Sequence, residues 1–244
     1  MSIVCNELLG RELLKIYQDT ECFNFSLDSI LLANFVTINK RTKKICDLCT
    51  GNAPIPLYLS LRTESEIIGV EIQQYSFNLG LKSVMINCRE SQINLLNKNL
   101  INIHEEIGKH TFDCVTCNPP FYKVGSFNQN PDIRKSIARH EIMCTLDDIC
   151  KEASLLLNSG GVFAMVHRPD TLTEILETLT KYNLEPKRIR FVHPKRNKQA
   201  NHLLIEAVKD GKAGGLKVLE PLIVYNDDNK WTDEVIKIYN YEEE

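Results

Sequence analysis

Phe112-Asp113-Cys114-Val115-Thr116-Cys117-Asn118-Pro119-Pro120-Phe121-Tyr122 is the stretch on which the reading of this chain turns. Its first half is apolar and β-branched, the pattern of a strand. It ends in two prolines, which donate no backbone hydrogen bond and hold φ at about −65°. The residue before each proline is pushed towards extended backbone. The turn is therefore stiff, and it fixes the directions of the Asn118 side chain and the Pro119 carbonyl. Both oxygens are acceptors, and a planar amino group has two hydrogens to offer them. Phe121 follows Pro120, where a ring can lie on the flat face of the base that carries the amine. Such a site suits an exocyclic amine or an amide. With both hydrogens held, the nitrogen lone pair is freed towards an electrophile, and no strong general base is needed. The same residues also read as a strand-end turn whose prolines only stop the sheet.

Strand and helix patterns alternate on both sides of that stretch. Strand character marks 44–48, 66–71, 93–96, 112–117, 162–166, 188–192 and 203–208. Helix character marks a segment opening near Ser26 or Asp28 as N-cap, one from Pro54 to about Leu61, and one over 74–87. Further helices are predicted from a Thr145–Asp148 capping box to about Leu157, and over 171–182. Gly160-Gly161 reads as a turn, and residues 3–24 carry no clear pattern. The expectation is a single α/β domain over residues 1–244, a doubly wound, seven-stranded, mostly parallel sheet.

Composition fits that size. The chain has 244 residues, 43% hydrophobic and 25% charged, enough for one large α/β domain. No apolar run approaches the ~18–20 residues of a membrane span. Met1-Ser2-Ile3-Val4-Cys5-Asn6-Glu7 lacks the basic-then-apolar layout of a signal peptide. Nine scattered cysteines, an odd count, fit reduced thiols and a cytoplasmic location. The pairs Cys46/Cys49 and Cys114/Cys117 have zinc-like spacing, but each lies in or at the end of a strand pattern. Residues three apart on a strand point to opposite faces, so these cysteines read as small core residues and no metal is expected.

The net charge of -3 gives no global sign of a nucleic-acid partner. Locally, Lys187, Arg188, Arg190, Lys195, Arg196 and Lys198 cluster without an intervening acid, and Arg134, Lys135, Arg139 and His140 follow the Asn-Pro-Pro-Phe turn. Each cluster reads either as a phosphate-binding face or as a solvated surface.

In open α/β sheets, ligands bind beyond the carboxyl ends of the strands. Asp47 and Gly51, Glu71, Asn99 and Asn118 all lie at or just past such ends. A glycine turn followed by an acid at the next strand's end, about twenty residues on, suits a ribose-bearing cofactor. The turn Cys49-Thr50-Gly51-Asn52-Ala53 has one glycine, not the three of a dinucleotide fingerprint. A cofactor without phosphate fits better, and S-adenosylmethionine is one whose methyl is an electrophile.

These motifs and their order resemble class I S-adenosylmethionine-dependent methyltransferases of the N6-adenine type. More closely, they resemble the bacterial tRNA(Val) adenine-37 N6-methyltransferase family. The resemblance rests on 25–33, 47–53, 68–73, 116–123, 138–141, 166–169 and 191–195, and so covers nearly the whole chain. It implies a Rossmann-like fold and residues 1–40 as an extension closing the cofactor pocket. Asp28, Asp47, Thr50, Gly51, Asn52, Glu71, Ile72, Asn99 and Asn118 would line that pocket, with Glu71 accepting from the ribose. Asn118, Pro119, Pro120 and Phe121 would hold the target base. Tyr122, Lys123, Arg134, Arg139, Lys195 and Arg196 would contact tRNA. Cys49 and Ala53 replace the family's usual glycines, and Asn99 replaces an acid. The expectation is that the Ala53 β-carbon crowds the cofactor and weakens its binding. A protein glutamine-amide methyltransferase, a ribosomal-RNA guanine-N2 methyltransferase and an RNA-binding module without activity are the other readings.

Overall fold

Strand β3 (Lys44–Leu48) is buried from Ile45 onward on both faces, as a central parallel strand must be. In the computed structural model, which describes residues 3–10, 12–19, 27–120 and 144–242, parallel neighbours add on each side of it. One side carries β4 (Glu66–Val70) and then β5 (Ile93–Leu96). The other carries β6 (Phe112–Cys117) and then β7 (Leu157–His167). Beyond β7 lies β9 (His202–Lys209), antiparallel to β7 and to the outer β8 (Leu184–His193). The order is β5-β4-β3-β6-β7-β9-β8. The expected seven strands are thus present, and two two-residue strands, β10 (Lys217–Val218) and β11 (Leu222–Ile223), pair with the outer edge of β8.

The strand period of two divides the core into two layers. Ile45, Ile67, Ile93, Leu95, Cys114, Val166 and Leu204 face one layer. Cys46, Leu48, Ile68, Val70, Val115, Cys117 and Phe163 face the other. The first layer is covered by α1 (Leu27–Phe35), α2 (Pro54–Arg62), α3 (Gln74–Ile86) and α7 (Asp233–Tyr239). The second is covered by the one-turn α4 (His104–Ile107), α5 (Leu146–Leu156) and α6 (Leu172–Lys181). Each fully buried Leu or Ile adds roughly 1.5–3 kcal/mol.

Local signals decide most boundaries. Pro54 sits in the first turn of α2, where its missing N–H costs nothing. The Thr145–Asp148 capping box opens α5, with Asp148 N donating to Thr145 Oγ1 at 3.1 Å and Thr145 N donating to Asp148 Oδ2 at 2.9 Å. Three expectations need correction. Gly160-Gly161 lies inside β7, not in a turn before it. Asp28 is in the first turn of α1, not at its cap, and Ser26 lies outside the described residues. Residues 3–19, unread in the sequence, hold an antiparallel pair, β1 (Ile3–Glu7) and β2 (Lys15–Asp19). β1 is almost wholly exposed, so it carries no apolar alternation to read. The pair is held from outside. Tyr17 N donates to Ser83 Oγ of α3, Lys15 N to Asn87 Oδ1, and Asn87 Nδ2 back to Lys15 O.

Helix α1 is buried from Asp28 to Ala33 and has no basic residue in its last turn. Two arginines from elsewhere serve its carbonyl end. Arg62 of α2 donates to Ala33 O at 2.5 Å and Val36 O at 2.9 Å. Arg188 of β8 reaches Phe35 O and Thr37 Oγ1 and stacks on the Phe35 ring. Both place positive charge where the helix dipole is negative. Arg188 is itself held by buried Glu206.

Among the described residues no helix is long and apolar enough to cross a membrane.

Candidate active site

The strand order reverses between β3 and β6, where the chain departs first to one side and then to the other. That is the switch point at which open α/β sheets bind ligands. Three strand tips meet there in register. Asp47 of β3 lies level with Gly69 of β4 and Thr116 of β6. All three extend the row of Ile45, Ile67 and Cys114 on the α1–α3 face, by the period of two.

Asp47 is completely buried. Its two oxygens accept from Thr50 Oγ1 and Thr116 Oγ1, each at 2.6 Å. The carboxyl thereby joins the β3 turn to β6. Burial pushes its pKa up to about 7, with the nearby Glu71 adding to the rise and the two hydroxyl bonds opposing it. Gly69 has no side chain because a β-carbon there would stand 2.9 Å from Thr50 Oγ1.

Glu71 directly follows β4 and is 5% exposed. Its Oε2 accepts from Gly51 N at 2.8 Å and its Oε1 from Gln73 N at 2.7 Å. Burial raises its pKa against these lowering backbone bonds. Ile72 N is a third backbone donor to this carboxylate, which still has lone-pair capacity for a ligand hydroxyl. Gly51 has φ +60, and a β-carbon built there meets nothing within 4 Å. The turn therefore presents bare backbone to open space. Gly80 of α3 lets the helix lie against the far side of this turn, since a β-carbon there would stand 3.2 Å from Gly51 O.

Cys49 and Ala53, the two residues of the turn expected to stand in place of glycines, have φ 59 and φ 72. The Ala53 methyl is fully buried in the apolar core. The expected crowding of a cofactor by that methyl is therefore misplaced, and what remains is backbone strain. The Cys49 thiol lies 3.9 Å from that of Cys144, and Cys46, Cys114 and Cys117 are buried. Burial raises the pKa of Cys117, so it is no thiolate at neutral pH.

At the tip of β6, Pro119 is buried and Asn118 and Pro120 are half-buried. Asn118 Nδ2 donates to Ser29 Oγ of α1 at 2.9 Å. Ser29 N in turn donates to Asp28 Oδ1 at 3.1 Å, and Asp28 Oδ2 stands 4.0 Å from His202 Nε2. The first turn of α1 thus joins Asn118 to the beginning of β9. Lys195 and Arg196 lie in the β8–β9 connection, Lys195 half-buried and Arg196 exposed, at the same carboxyl edge. Phe121, Tyr122, Lys123, Arg134 and Arg139 lie outside the described residues.

Residues 26–187 match the family model of the methyltransferase small domain. The chain belongs to the methyltransferase small domain family. It is 24% identical over 182 residues to the tRNA1(Val) (adenine(37)-N6)-methyltransferase of Aliivibrio salmonicida, covering 74% of this chain and 75% of that one. It is 23% identical over 190 residues to the protein of the same name from Phocaeicola vulgatus, covering 78% and 79%. A predicted O-methyltransferase from Agrobacterium tumefaciens superposes with a TM-score of 0.69 at 23% identity, over 87% of this chain and 95% of that chain.

Of the pocket residues expected for this methyltransferase, Asp47, Thr50, Gly51 and Glu71 are brought together by hydrogen bonds. Asn52 Nδ2 donates to Tyr17 O of the β1–β2 pair. Asn99 is exposed, and its Oδ1 accepts from Ile101 N. Asn97 is the residue joined to the β4 tip, its Nδ2 donating to Glu71 O and Ile72 O. Sequence reasoning passed over Asn97, Thr116 and Ser29. Thr116 was open to discovery, because it precedes Asn118 by two on one strand and so shares its face.

Proposed function

We propose that this methyltransferase transfers a methyl group from S-adenosylmethionine to the N6 amine of an adenine in tRNA. The observation that carries the reading is the Asn118 amide at the switch point, its Nδ2 engaged by Ser29 and its neighbour Pro119 held by burial. The Glu71 and Gly51 pair fits the nucleoside end of the donor, offering carboxylate lone pairs and bare backbone beside open space. S-adenosylmethionine supplies an electrophilic methyl on a sulfonium sulfur. Asn118 Oδ1 and the Pro119 carbonyl accept the two amine hydrogens, which releases the nitrogen lone pair from the ring. The sulfur–methyl bond would break as the nitrogen–methyl bond forms, leaving the neutral thioether S-adenosylhomocysteine. The surplus amine proton would then pass to solvent water, so the site needs no general base. Phe121 stacks on the base.

Adenine-37 beside the anticodon of tRNA(Val) is the target to which the relatives' names point. A looped-out base suits the pocket, since leaving the stack costs about a few kcal/mol. Lys195 and Arg196, with Tyr122, Lys123, Arg134 and Arg139, contact the phosphates around it. The β1–β2 pair forms the wall over the donor. Asn52 ties the cofactor turn to Tyr17, and Tyr75 Oη donates to Asp19 Oδ2 at 2.5 Å. Free thiols suit a cytoplasmic setting.

The test is transfer of label from methyl-labelled S-adenosylmethionine to purified tRNA, ribosomal RNA or a release factor, followed by digestion. Labelled N6-methyladenosine from tRNA is expected. Label only in N2-methylguanosine or in glutamine, or no label at all, overturns the reading.

A further inference from the structure

An asparagine amide has nearly the same shape in its two orientations and opposite chemistry at its two ends. Only the oxygen end can accept from an incoming amine. The inverted amide sets N–H against N–H, so something must choose the orientation. Among the described residues, Ser29 is the group in contact with the amino end of the amide. Ser29 is 5% exposed, sits in the first turn of α1, and accepts from Asn118 Nδ2 at 2.9 Å. Its backbone is fixed in turn by Asp28, whose Oδ1 accepts the Ser29 N–H. The other oxygen of Asp28 faces His202 Nε2 at 4.0 Å, so this first turn of α1 is tied to β9 as well as to β6. In this arrangement the amino end of the Asn118 amide faces α1 and Oδ1 is left for the incoming amine.

We propose that Ser29 is a positioning residue that locks the Asn118 amide with Oδ1 facing the target amine. The inference rests on the reading of Asn118 given under Proposed function. It adds a residue that touches neither substrate nor donor, and it makes the far-end clasp of α1 by Arg62 and Arg188 part of the site's geometry.

The experiment compares wild type with Ser29→Ala, Ser29→Thr and Ser29→Cys. Ser29→Ala is expected to lower kcat roughly 10- to 100-fold, the scale of a misaligned catalytic group. KM for tRNA and the calorimetric affinity for S-adenosylmethionine stay at wild-type values. Ser29→Thr keeps the hydroxyl and restores kcat towards wild type. Ser29→Cys keeps the shape with a poor acceptor and shows the same loss, so the result does not depend on how the alanine variant folds. In an Asn118→Ala background, Ser29→Ala adds nothing further. Independently of turnover, the side-chain amide resonance of Asn118 in protein labelled with 15N-asparagine shifts in Ser29→Ala while other asparagine amides do not. Wild-type kcat and an unmoved Asn118 resonance in Ser29→Ala, or losses additive with Asn118→Ala, overturn the proposal. Wild type without N6-methyladenosine product overturns the reading of function instead, and the resonance then decides the Ser29 contact alone.

Discussion

Glu71 Oε2 accepts the Gly51 N–H at 2.8 Å, so the tip of β4 holds the turn that follows β3. One carboxylate thus shapes the backbone cradle and offers lone pairs to whatever enters it. Glu71→Gln puts an amino group where one backbone N–H now donates. Hydrogen bonds to charged groups contribute about 1.5–3 kcal/mol, so affinity for S-adenosylmethionine should fall roughly 10- to 100-fold. Because burial raises the Glu71 pKa, wild-type affinity should also weaken on acidification sooner than an ordinary glutamate would allow. Titration calorimetry from about pH 8 to about pH 5 reads both effects. Equal affinities for the two proteins would remove Glu71 from the donor pocket.

Asp47 makes the stability of the ligand-free protein depend on pH. Its pKa rises from 3.8 to about 7 on burial, so the folded state binds this proton more tightly than the unfolded chain does. The associated stability is fully present below about pH 4 and is lost as pH rises through about 7. That gap corresponds to roughly 4 kcal/mol. Asp47→Asn abolishes the titration, so its urea midpoint should lack the decline that wild type shows over this range. Parallel curves for the two proteins would contradict the assignment.

Ala53 sets strain against burial. A left-handed residue other than glycine costs roughly 1–2 kcal/mol. The buried methyl contributes about 0.8 kcal/mol, and glycine adds about 0.4–1 kcal/mol of unfolded-state entropy. These nearly cancel, so Ala53→Gly should change stability by less than about 1 kcal/mol. It should leave donor affinity unaltered, because the methyl lies in the core. A tighter complex in Ala53→Gly would show that the turn backbone, not the methyl, limits binding.

Lys195→Ala combined with Arg196→Ala should weaken tRNA binding and make it less sensitive to salt. Each lost phosphate contact flattens the slope of log K against log salt by about 0.7–0.9. Filter binding at several salt concentrations measures the slope, and an unchanged slope would move the RNA face elsewhere.

The sheet was legible because its inner strands are buried on both faces and are mostly apolar, as Ile67–Val70 is and as Ile45, Cys46 and Leu48 around Asp47 are. The tips were legible for the same reason: once the strands are placed, Asp47, Glu71 and Asn118 fall at one edge. The β1–β2 pair was not, since β1 buries so little and β2 is held by contacts more than sixty residues away. Asn97 and Asn99 illustrate a second limit. Both follow β5, and only the path of the chain decides that Asn97 turns to Glu71 O while Asn99 bonds its own loop.

Helix α1 is about 13 Å long, with Ser29 at one end and the Arg62 and Arg188 guanidinium groups at the other. A random screen for inactive variants would for this reason return hits at Arg188, Glu206 and Thr37. Such hits would look like defects of an unrelated region, yet each would be an aiming error transmitted along a rigid rod. Restoring the rod's seat, with no change near the reacting atoms, should be enough to recover turnover.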